Sequence, residues 1–210
     1  MKNNLRITYA ITVCNEFTEI QRLVSFLLQH KRQQDNIVIL YDEANGDPAV
    51  EEYLRTHSLN NEYSWFKAKF DNHFANWKNK LSSLCSGDYI FQIDADEMIS
   101  EYQCKLIPQV IESNDVDVIM VPRINTVEGL TQEHIEKWRW SVNERGWVNF
   151  PDYQWRIYRN KCTVTWINQV HEQLKGFTSI AHLPAIADWS LTHHKTIQRQ
   201  ERQNNYYDTL

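Results

Sequence analysis

The chain has 210 residues, of which 42% are hydrophobic and 23% are charged, and its net charge is -5. This length and composition fit one globular domain, and the negative charge argues against nucleic acid as a partner. No apolar run approaches the ~20 residues that span a bilayer, and no apolar signal-peptide core precedes the first strand pattern. We therefore expect a cytoplasmic protein with no membrane span, or one held at the inner face of the membrane.

The first half of the chain alternates strand and helix patterns. Apolar, β-branched runs predict strands over residues 7–13, 37–40, 65–70, 89–93 and 116–121. Apolar residues at helical spacing predict helices over 16–30, 48–54, 74–85 and 102–112, the second of which is opened by Asp47 and Pro48. Strands that alternate with helices are typical of crossover units, so we predict an α/β fold with a mainly parallel sheet.

The second half is richer in aromatic residues, because six of the eight tryptophans follow residue 130. Short strands are predicted over 155–158, 163–166 and 185–191, and a polar helix is predicted over 196–207. The four cysteines form no Cys-x-x-Cys pair and are expected to be free thiols. We expect a single domain over 1–210, with an αβ half at 1–122 and a smaller aromatic-rich half at 123–210.

Acidic side chains stand at the carboxyl ends of three predicted strands. They are Glu16 after the first strand, Asp42 and Glu43 after the second, and Asp94, Asp96 and Glu97 after the fourth. Ligands of open α/β sheets bind outside these strand ends, so one crevice can collect all three groups. An Asp-x-Asp pair there suits Mg²⁺ or Mn²⁺, which would bridge to a diphosphate. The alternative is a solvated turn followed by a helix cap.

The order of these motifs resembles that of a known family. Ile-Thr-Val-Cys-Asn-Glu at 11–16 is followed by Ile-Leu-Tyr-Asp at 39–42 and by Gly-Asp-Tyr-Ile-Phe-Gln-Ile-Asp-Ala-Asp-Glu at 87–97. The chain is in these respects similar to family 2 glycosyltransferases of the GT-A fold. The resemblance implies a GT-A (Rossmann-like) mixed, mainly parallel sheet flanked by helices. It also implies that residues 1–122 bind a nucleotide-sugar and that 123–210 form the acceptor and catalytic half.

The resemblance implies roles for individual residues. Asp42 would read the base, with uracil expected, although Glu43 is an alternative because the family's Asp-Asp-Gly-Ser is absent here. Asp96 would ligate the metal, and Asp94 would approach the ribose or the water shell of the metal. The implied nucleotide-sugar-binding residues are Thr12, Asn15, Glu16, Asp42, Asn79, Lys80, Asp94, Ala95, Asp96 and Arg156.

Two pairs of polar residues, one on a predicted helix and one on a predicted strand, have competing interpretations. Asn79 or Lys80 falls where the family contacts the nucleotide, but both also fit a solvated helix surface. Arg156 and Arg159 lie on a strand-like run, and one of them would offer a planar fork to the diphosphate. The alternative for these arginines is ordinary surface charge.

A further match lies in the second half. Arg-Ile-Tyr-Arg at 156–159 and Val-His-Glu at 170–172 resemble a subgroup that includes lipopolysaccharide core β-glycosyltransferases. An inverting transfer needs a base that removes the proton of the acceptor hydroxyl, and a carboxylate is the usual choice. Glu172 is the first candidate, Asp152 the second and Glu97 the third. The alternative for Glu172 is a surface carboxylate.

Histidines and tryptophans supply the remaining candidates. His171, His193 or His194 would join Asp96 at the metal, and an imidazole ligand favours Mn²⁺ over Mg²⁺. Each histidine is otherwise a satisfied core or surface residue. Most tryptophans are expected to pack in the core, whereas Trp155 or Trp147 would stack on a sugar.

We therefore predict an inverting, metal-dependent glycosyltransferase that moves one sugar from a nucleotide-sugar, with a UDP-sugar expected, to a glycan or glycolipid acceptor such as a lipopolysaccharide-like molecule. Processive synthesis is not expected, since the Gln-x-x-Arg-Trp signature is absent. A sugar nucleotidyltransferase is disfavoured because no glycine-rich loop follows the first strand. The alternative is a non-catalytic nucleotide- or carbohydrate-binding protein on the same scaffold.

Overall fold

The computed structural model describes residues 5–58 and 62–207. Its strands are β1 (Ile7–Val13), β2 (Asn36–Asp42), β3 (Ser64–Ala68), β4 (Tyr89–Asp94), β5 (Glu97–Met98), β6 (Val118–Glu128), β7 (Val148–Arg159), β8 (Thr165–Ile167), β9 (Gln173–Lys175), β10 (Ile180–His182) and β11 (Leu191–Thr196). Its helices are α1 (Phe17–His30), α2 (Pro48–His57), α3 (Phe74–Ser83), α4 (Glu101–Asn114), α5 (Gln132–Trp138) and α6 (Ile197–Tyr207).

In the described part of the chain, nine strands form one sheet in the order β3-β2-β1-β4-β7-β6-β11-β5, with β10 beside β6. β1 is parallel to β2 and β4, and β6 is parallel to β11. β7 runs antiparallel to both of its neighbours, β4 and β6. The carboxyl ends of β1, β2, β4, β6 and β11 therefore share one edge of the sheet, together with the amino-terminal part of β7. The predicted mixed, mainly parallel sheet is confirmed.

Alternate residues of the strands build a core on each face of the sheet. In β1, Ile7, Tyr9 and Ile11 pack with buried residues of α1, α2 and α4. Ala10 points to the opposite face, where α3 and Trp166 of β8 pack. Strands buried on both faces are apolar throughout, which explains why the first two strands could be predicted from the sequence.

Two helices begin with the capping contacts that their sequences favour. Asp47 accepts a hydrogen bond from the backbone nitrogen of Ala49 at 2.8 Å, and Pro48 occupies the first turn of α2. At α4, Ser100 and Gln103 form a reciprocal capping box at 3.1 and 2.9 Å. These caps fix where the chain leaves the carboxyl edge of the sheet after β2 and β5.

The strand predicted over 185–191 is wrong. Ala187–Trp189 form a short 3-10 helix, and β11 begins only at Leu191. Contacts with α4 hold this turn, because Gln103 donates to the Trp189 carbonyl at 2.8 Å and Tyr102 packs edge-on against the Trp189 ring. Tertiary contacts thus override the apolar run, and the strand is displaced toward the two histidines.

Other elements differ in extent from the prediction. β6 and β7 continue well beyond the predicted 116–121 and 155–158, and α5 lies in the connection between them. All four cysteines are free thiols, as expected. Among the described residues, no helix combines the length and apolar character that a membrane span requires.

Candidate functional site

A cavity of about 1240 Å³ opens at the carboxyl edge of the sheet. Its described walls come from the ends of β1, β2 and β4, from β6, β7 and β11, from the loop before β9 and from α6. The predicted site residues that line it are Thr12, Asn15, Glu16, Asp42, Asp94, Ala95, Asp96, Asp152, Arg156, His171, Glu172 and His193. The parallel strands thus bring together the acidic groups that follow β1, β2 and β4.

Asp94, the last residue of β4, is held by a buried arginine. Arg156 Nη2 donates to Asp94 Oδ2 and to Glu97 Oε1, each at 2.6 Å. Thr12 Oγ1 and Gln92 Nε2 donate to the other oxygen of Asp94 at 3.2 and 2.8 Å. Burial alone would raise the pKa of Asp94, but the positive charges of Arg156, Lys78 and Arg123, with the hydrogen bond from Gln92, together outweigh it and hold this pKa far below its usual range. Asp94 is therefore ionised, and Arg156 is engaged chiefly with carboxylates.

Glu97 lies behind this pair. Its side chain is fully buried and accepts from Arg123 Nη1 at 2.9 Å as well as from Arg156. The backbone nitrogen of Asp94 donates to its second oxygen at 3.2 Å. Because Glu97 does not line the cavity, the third candidate for the base is not positioned to meet an acceptor.

A chain of four side chains runs from the Asp-x-Asp motif across three strands. His193 Nε2 lies 3.1 Å from Asp96 Oδ2, and His193 Nδ1 lies 2.9 Å from Asn125 Oδ1. Asn125 Nδ2 donates to Asp152 Oδ2 at 2.8 Å, which fixes the orientation of the amide. The amide oxygen therefore accepts from His193 Nδ1–H, which leaves Nε2 as the ring nitrogen that faces Asp96.

Asp96 and His193 form a pair that fits a divalent cation. Burial alone would raise the pKa of Asp96, but His193 and Arg199 outweigh it and hold this pKa well below its usual range. An ionised carboxylate oxygen and an imidazole nitrogen thus converge at the cavity wall. No group of three or more His, Cys, Asp or Glu side chains suited to a metal occurs within residues 5–58 and 62–207. Two protein ligands still suffice for Mg²⁺ or Mn²⁺ when substrate phosphates supply further oxygens.

Asp42 ends β2 at the opposite side of the cavity. Its side chain is 4% exposed, and it accepts from the backbone nitrogens of Ala44 and Phe70 at 3.0 and 3.2 Å. Gly46 permits this compact loop, since a Cβ at that position would come within 2.3 Å of the Asp42 carbonyl oxygen. Glu43 is exposed and lies outside the cavity, so Asp42 is the one of these two carboxylates that lines it.

Glu16 closes the loop after β1. One of its oxygens accepts from the backbone nitrogens of Cys14 and Asn15 at 2.8 and 3.1 Å, and the other accepts from Arg199 Nη2 at 2.9 Å. Burial raises the pKa of Glu16, and the hydrogen bond from Cys14 only partly offsets this effect. Thr12 lines the cavity beside these groups.

The two leading candidates for the base both line the cavity and are both paired. Glu172 Oε1 lies 2.5 Å from Lys78 Nζ, and this ion pair is largely buried. Asp152 Oδ2 accepts from Arg123 at 2.7 Å as well as from Asn125, while Asp152 Oδ1 accepts from Gln154 at 2.7 Å. Glu172 is thus held through one oxygen, whereas Asp152 is held through both.

Several predicted site residues lie elsewhere. Asn79 exchanges two hydrogen bonds with the backbone of Trp166 at 2.8 and 2.9 Å, and Lys80 is exposed on the same helix. His193 and His194 alternate across β11, so His193 is 6% exposed and His194 is 61% exposed. None of Asn79, Lys80 and His194 lines the cavity.

Two further side chains that were considered also point away. Arg159 pairs with Asp115 and Asp117, at 2.8 and 3.2 Å, instead of entering the cavity. Trp155 lines the cavity, whereas Trp147 packs on Phe150 at 4.8 Å. Of each pair, the structure therefore leaves only Arg156 and Trp155 at the site.

The structure adds residues that the sequence did not single out. Lys78, Arg123, Asn125, Lys195 and Arg199 all line the cavity. Lys78 is one of the buried positions of α3, next to Trp77, so the helical pattern could have indicated that Lys78 faces the interior. Arg123 and Asn125 lie two residues apart on β6 and therefore face the same side of the sheet. The sequence would have indicated this only if the predicted strand had continued beyond residue 121. No sequence signal pointed to Arg199.

Comparison with known proteins places the chain in a class. The family model for glycosyl transferase family 2 matches residues 8–180. The chain therefore belongs to glycosyl transferase family 2.

Solved structures share the fold. S. aureus TarS 1–349 matches with a TM-score of 0.60 at 11% identity, covering 90% of this chain and 60% of that chain. The same fragment in complex with UDP-GlcNAc matches with a TM-score of 0.61 at 11% identity, covering 91% of this chain and 59% of that chain. The chain thus spans about 60% of the length of these structures, and the likeness confirms the predicted GT-A fold. A search of curated protein sequences found no match.

Proposed function

We propose that the chain transfers one sugar from a UDP-sugar to a hydroxyl group of a glycan or glycolipid acceptor, with inversion and with the help of Mn²⁺ or Mg²⁺. Membership of family 2 supports nucleotide-sugar transfer. The relative with bound UDP-GlcNAc, which shares this fold, makes uridine diphosphate the first nucleotide to test. The similarity to lipopolysaccharide core enzymes remains a prediction from the motifs at 156–159 and 170–172.

The observation that carries the proposal is the convergence of Asp96 and His193 in a cavity that also contains Asp42. The buried Asp42 sits in a backbone loop and suits a base, while the ionised Asp96 and the oriented His193 suit the cation of a metal-diphosphate. The cavity, at about 1240 Å³, exceeds the roughly 300–1,000 Å³ of common small-molecule sites. It therefore has room for a nucleotide-sugar and for part of an acceptor.

The residues of the chain divide the work of transfer. Asp42 orients the base, and Asp94, held by Arg156, faces the donor from the end of β4. Asp96 and His193 would hold the cation, which would supply charge neutralisation for the diphosphate. Glu172 accepts the proton of the acceptor hydroxyl while the oxygen of that hydroxyl attacks the anomeric carbon and the bond from this carbon to the diphosphate breaks.

We would test this by measuring thermal stability with UDP, GDP, CDP and TDP, each with and without Mn²⁺, followed by transfer from UDP-sugars. A ligand at 100 times its Kd adds about 2.7 kcal/mol of stability. We expect a joint effect of UDP and Mn²⁺ that is lost in Asp96→Ala. Glu172→Gln should keep this binding and lose transfer, and NMR of the product should show an inverted anomeric centre.

Asp152→Asn is the matched comparison for the base. If Asp152→Asn loses transfer at unchanged UDP binding while Glu172→Gln retains it, the base is Asp152. Binding of UDP with no transfer to any acceptor would favour the alternative of a non-catalytic binding protein. The absence of any metal-dependent nucleotide effect would contradict the proposed function.

A further inference from the structure

Arg199, on the first turn of α6, reaches three carboxylates, of which those of Glu16 and Asp96 line the cavity. Its guanidinium lies 2.9 Å from Glu16 Oε1, 3.2 Å from Glu19 Oε1 and 3.2 Å from Asp96 Oδ2. Glu16 and Glu19 stand at the start of α1, whereas Asp96 belongs to the Asp-x-Asp motif. One side chain therefore joins α6 both to the start of α1 and to the Asp-x-Asp motif.

The rest of α6 continues over the cavity. Farther along α6, Tyr206 donates to Asn72 at 2.9 Å, so the helix reaches from the loop after β1 to the segment between β3 and α3. The cavity residues of α6 are Arg199, Gln200, Arg202, Gln203, Asn204 and Tyr206. The helix is therefore a polar cover that offers hydrogen-bond donors to whatever the cavity contains.

The contact with Asp96 conflicts with cation binding. Asp96 Oδ2 faces both His193 Nε2 and Arg199 Nη2, at 3.1 and 3.2 Å. A divalent cation bound at that oxygen and at His193 would meet the positive guanidinium at short range, and the two charges repel. Arg199 must therefore leave Asp96 when the cation binds.

We propose that Arg199 is a diphosphate-binding residue, which moves from Asp96 and Glu16 to the phosphates of the donor as the cation takes its place. This inference rests on the proposed function. A donor diphosphate brings new negative charge beside Asp96, and a guanidinium fork matches phosphate oxygens well. Arg199 therefore weakens the binding of a cation alone, because it occupies Asp96. It strengthens the binding of a cation together with a diphosphate, because it then binds the phosphates.

The test compares Arg199→Ala, Arg199→Lys and the control Arg22→Ala, all in the full chain. Arg22 is exposed on α1 and does not line the cavity. Calorimetry would measure UDP and uridine binding in the presence of Mn²⁺, and electron paramagnetic resonance would measure Mn²⁺ binding alone. Circular dichroism melts would show that each variant is folded.

Three results are expected together. Arg199→Ala should weaken UDP binding about tenfold or more, as loss of a hydrogen bond to a charged group does, while uridine binding is unchanged. Arg199→Ala should bind Mn²⁺ alone more tightly than the wild type. The UDP affinity of Arg199→Lys should lie between those of the wild type and Arg199→Ala, and Arg22→Ala should resemble the wild type.

The opposite outcomes separate this inference from the proposed function. If the wild type binds no UDP, both fail together. If the wild type binds UDP and Arg199→Ala binds it equally well, only the role of Arg199 is overturned. Equal weakening of UDP, uridine and Mn²⁺ in Arg199→Ala, or in Arg199→Lys should the alanine variant be unfolded, would reduce Arg199 to a structural contact of α6.

Discussion

At the scale of single residues, Asn125 determines what His193 can do. Its amide is fixed by Asp152 on one side and accepts from His193 on the other. Without that acceptor, either nitrogen of the imidazole could carry the proton and the ring could turn. Asn125 thus positions a proposed ligand without reaching the cation itself.

We predict that Asn125→Leu weakens Mn²⁺ binding in the presence of UDP by roughly 10–100-fold, as loss of a supporting hydrogen bond to a metal-bound histidine does. Calorimetric titration of Mn²⁺ into the protein with UDP measures this change. Uridine binding serves as the control and should be unaffected, since Asp42 is at the other side of the cavity. Unchanged Mn²⁺ affinity in Asn125→Leu would show that His193 is not a ligand.

Some of these residues could be predicted from the sequence and others could not. Asp42, Asp94 and Asp96 follow strongly apolar strands, so their place at the carboxyl edge follows from the pattern alone. The choice between His193 and His194 depends on the pleat of β11, and the strand had been predicted too early in the chain. A shift of one residue in a strand exchanges the buried and the exposed side chain.

At the scale of elements, α3 serves the core and the cavity with different side chains. Asn79 binds the backbone of Trp166 and so fastens the β8-β9 hairpin to the helix. Lys78, one position earlier, turns into the cavity and pairs with Glu172. The prediction placed nucleotide contacts at Asn79 or Lys80, and a rotation of about 100° per residue moves them off the cavity.

Substitution of Asn79 should therefore affect stability, whereas substitution of Lys78 should affect sugar transfer. We predict that Asn79→Leu lowers the free energy of unfolding by about 1–3 kcal/mol, since it leaves the Trp166 backbone groups unpaired, and leaves the UDP affinity of the folded protein unchanged. Lys78→Met should change the rate of sugar transfer, because Glu172 loses the lysine ammonium group with which it pairs. Urea unfolding and transfer assays on both variants measure this. Loss of UDP affinity in folded Asn79→Leu would restore the original prediction for that residue.

The elements that were missed are mostly short or determined by distant contacts. β5 has two residues and β10 has three, too few for a period to be detected. α5 buries none of its residues, so it lacks the apolar stripe that marks a helix. β1, β2 and β3 are instead neighbours in the sheet, and their patterns are correspondingly clear.

At the scale of the whole molecule, hydrogen bonds and an ion pair at Asp117 join the two halves. Asp117, at the start of β6, lies far from the cavity and accepts from the Thr178 backbone nitrogen and hydroxyl at 2.9 and 2.7 Å. It also accepts from Lys161 Nζ at 2.9 Å. The hydrogen bonds from Thr178 and Lys161 hold the pKa of Asp117 well below its usual range.

This shift predicts how acid acts on stability. Because the folded-state pKa of Asp117 lies below that of an unfolded aspartate, about 3.9, its ionised form stabilises the fold above about pH 4. That stability is lost as the pH falls from about 4 toward the folded-state pKa. Asp117→Asn should therefore be less stable at neutral pH and should lose less stability below pH ~4. Urea unfolding across pH 2.5–7 measures both, and equal acid slopes in the two proteins would contradict this role.

The pairing of Arg199 with Glu16 spans 183 residues, and that of Arg156 with Asp94 spans 62. The carboxylates at Glu16, Asp94 and Asp96 leave the ribosome before the arginines that pair with them. During translation, the early strands can pair and bury their apolar faces, but these carboxylates remain uncompensated. The cavity therefore takes its final form only after α6 has been synthesised, so α6 decides when a nascent chain becomes competent to bind the proposed donor.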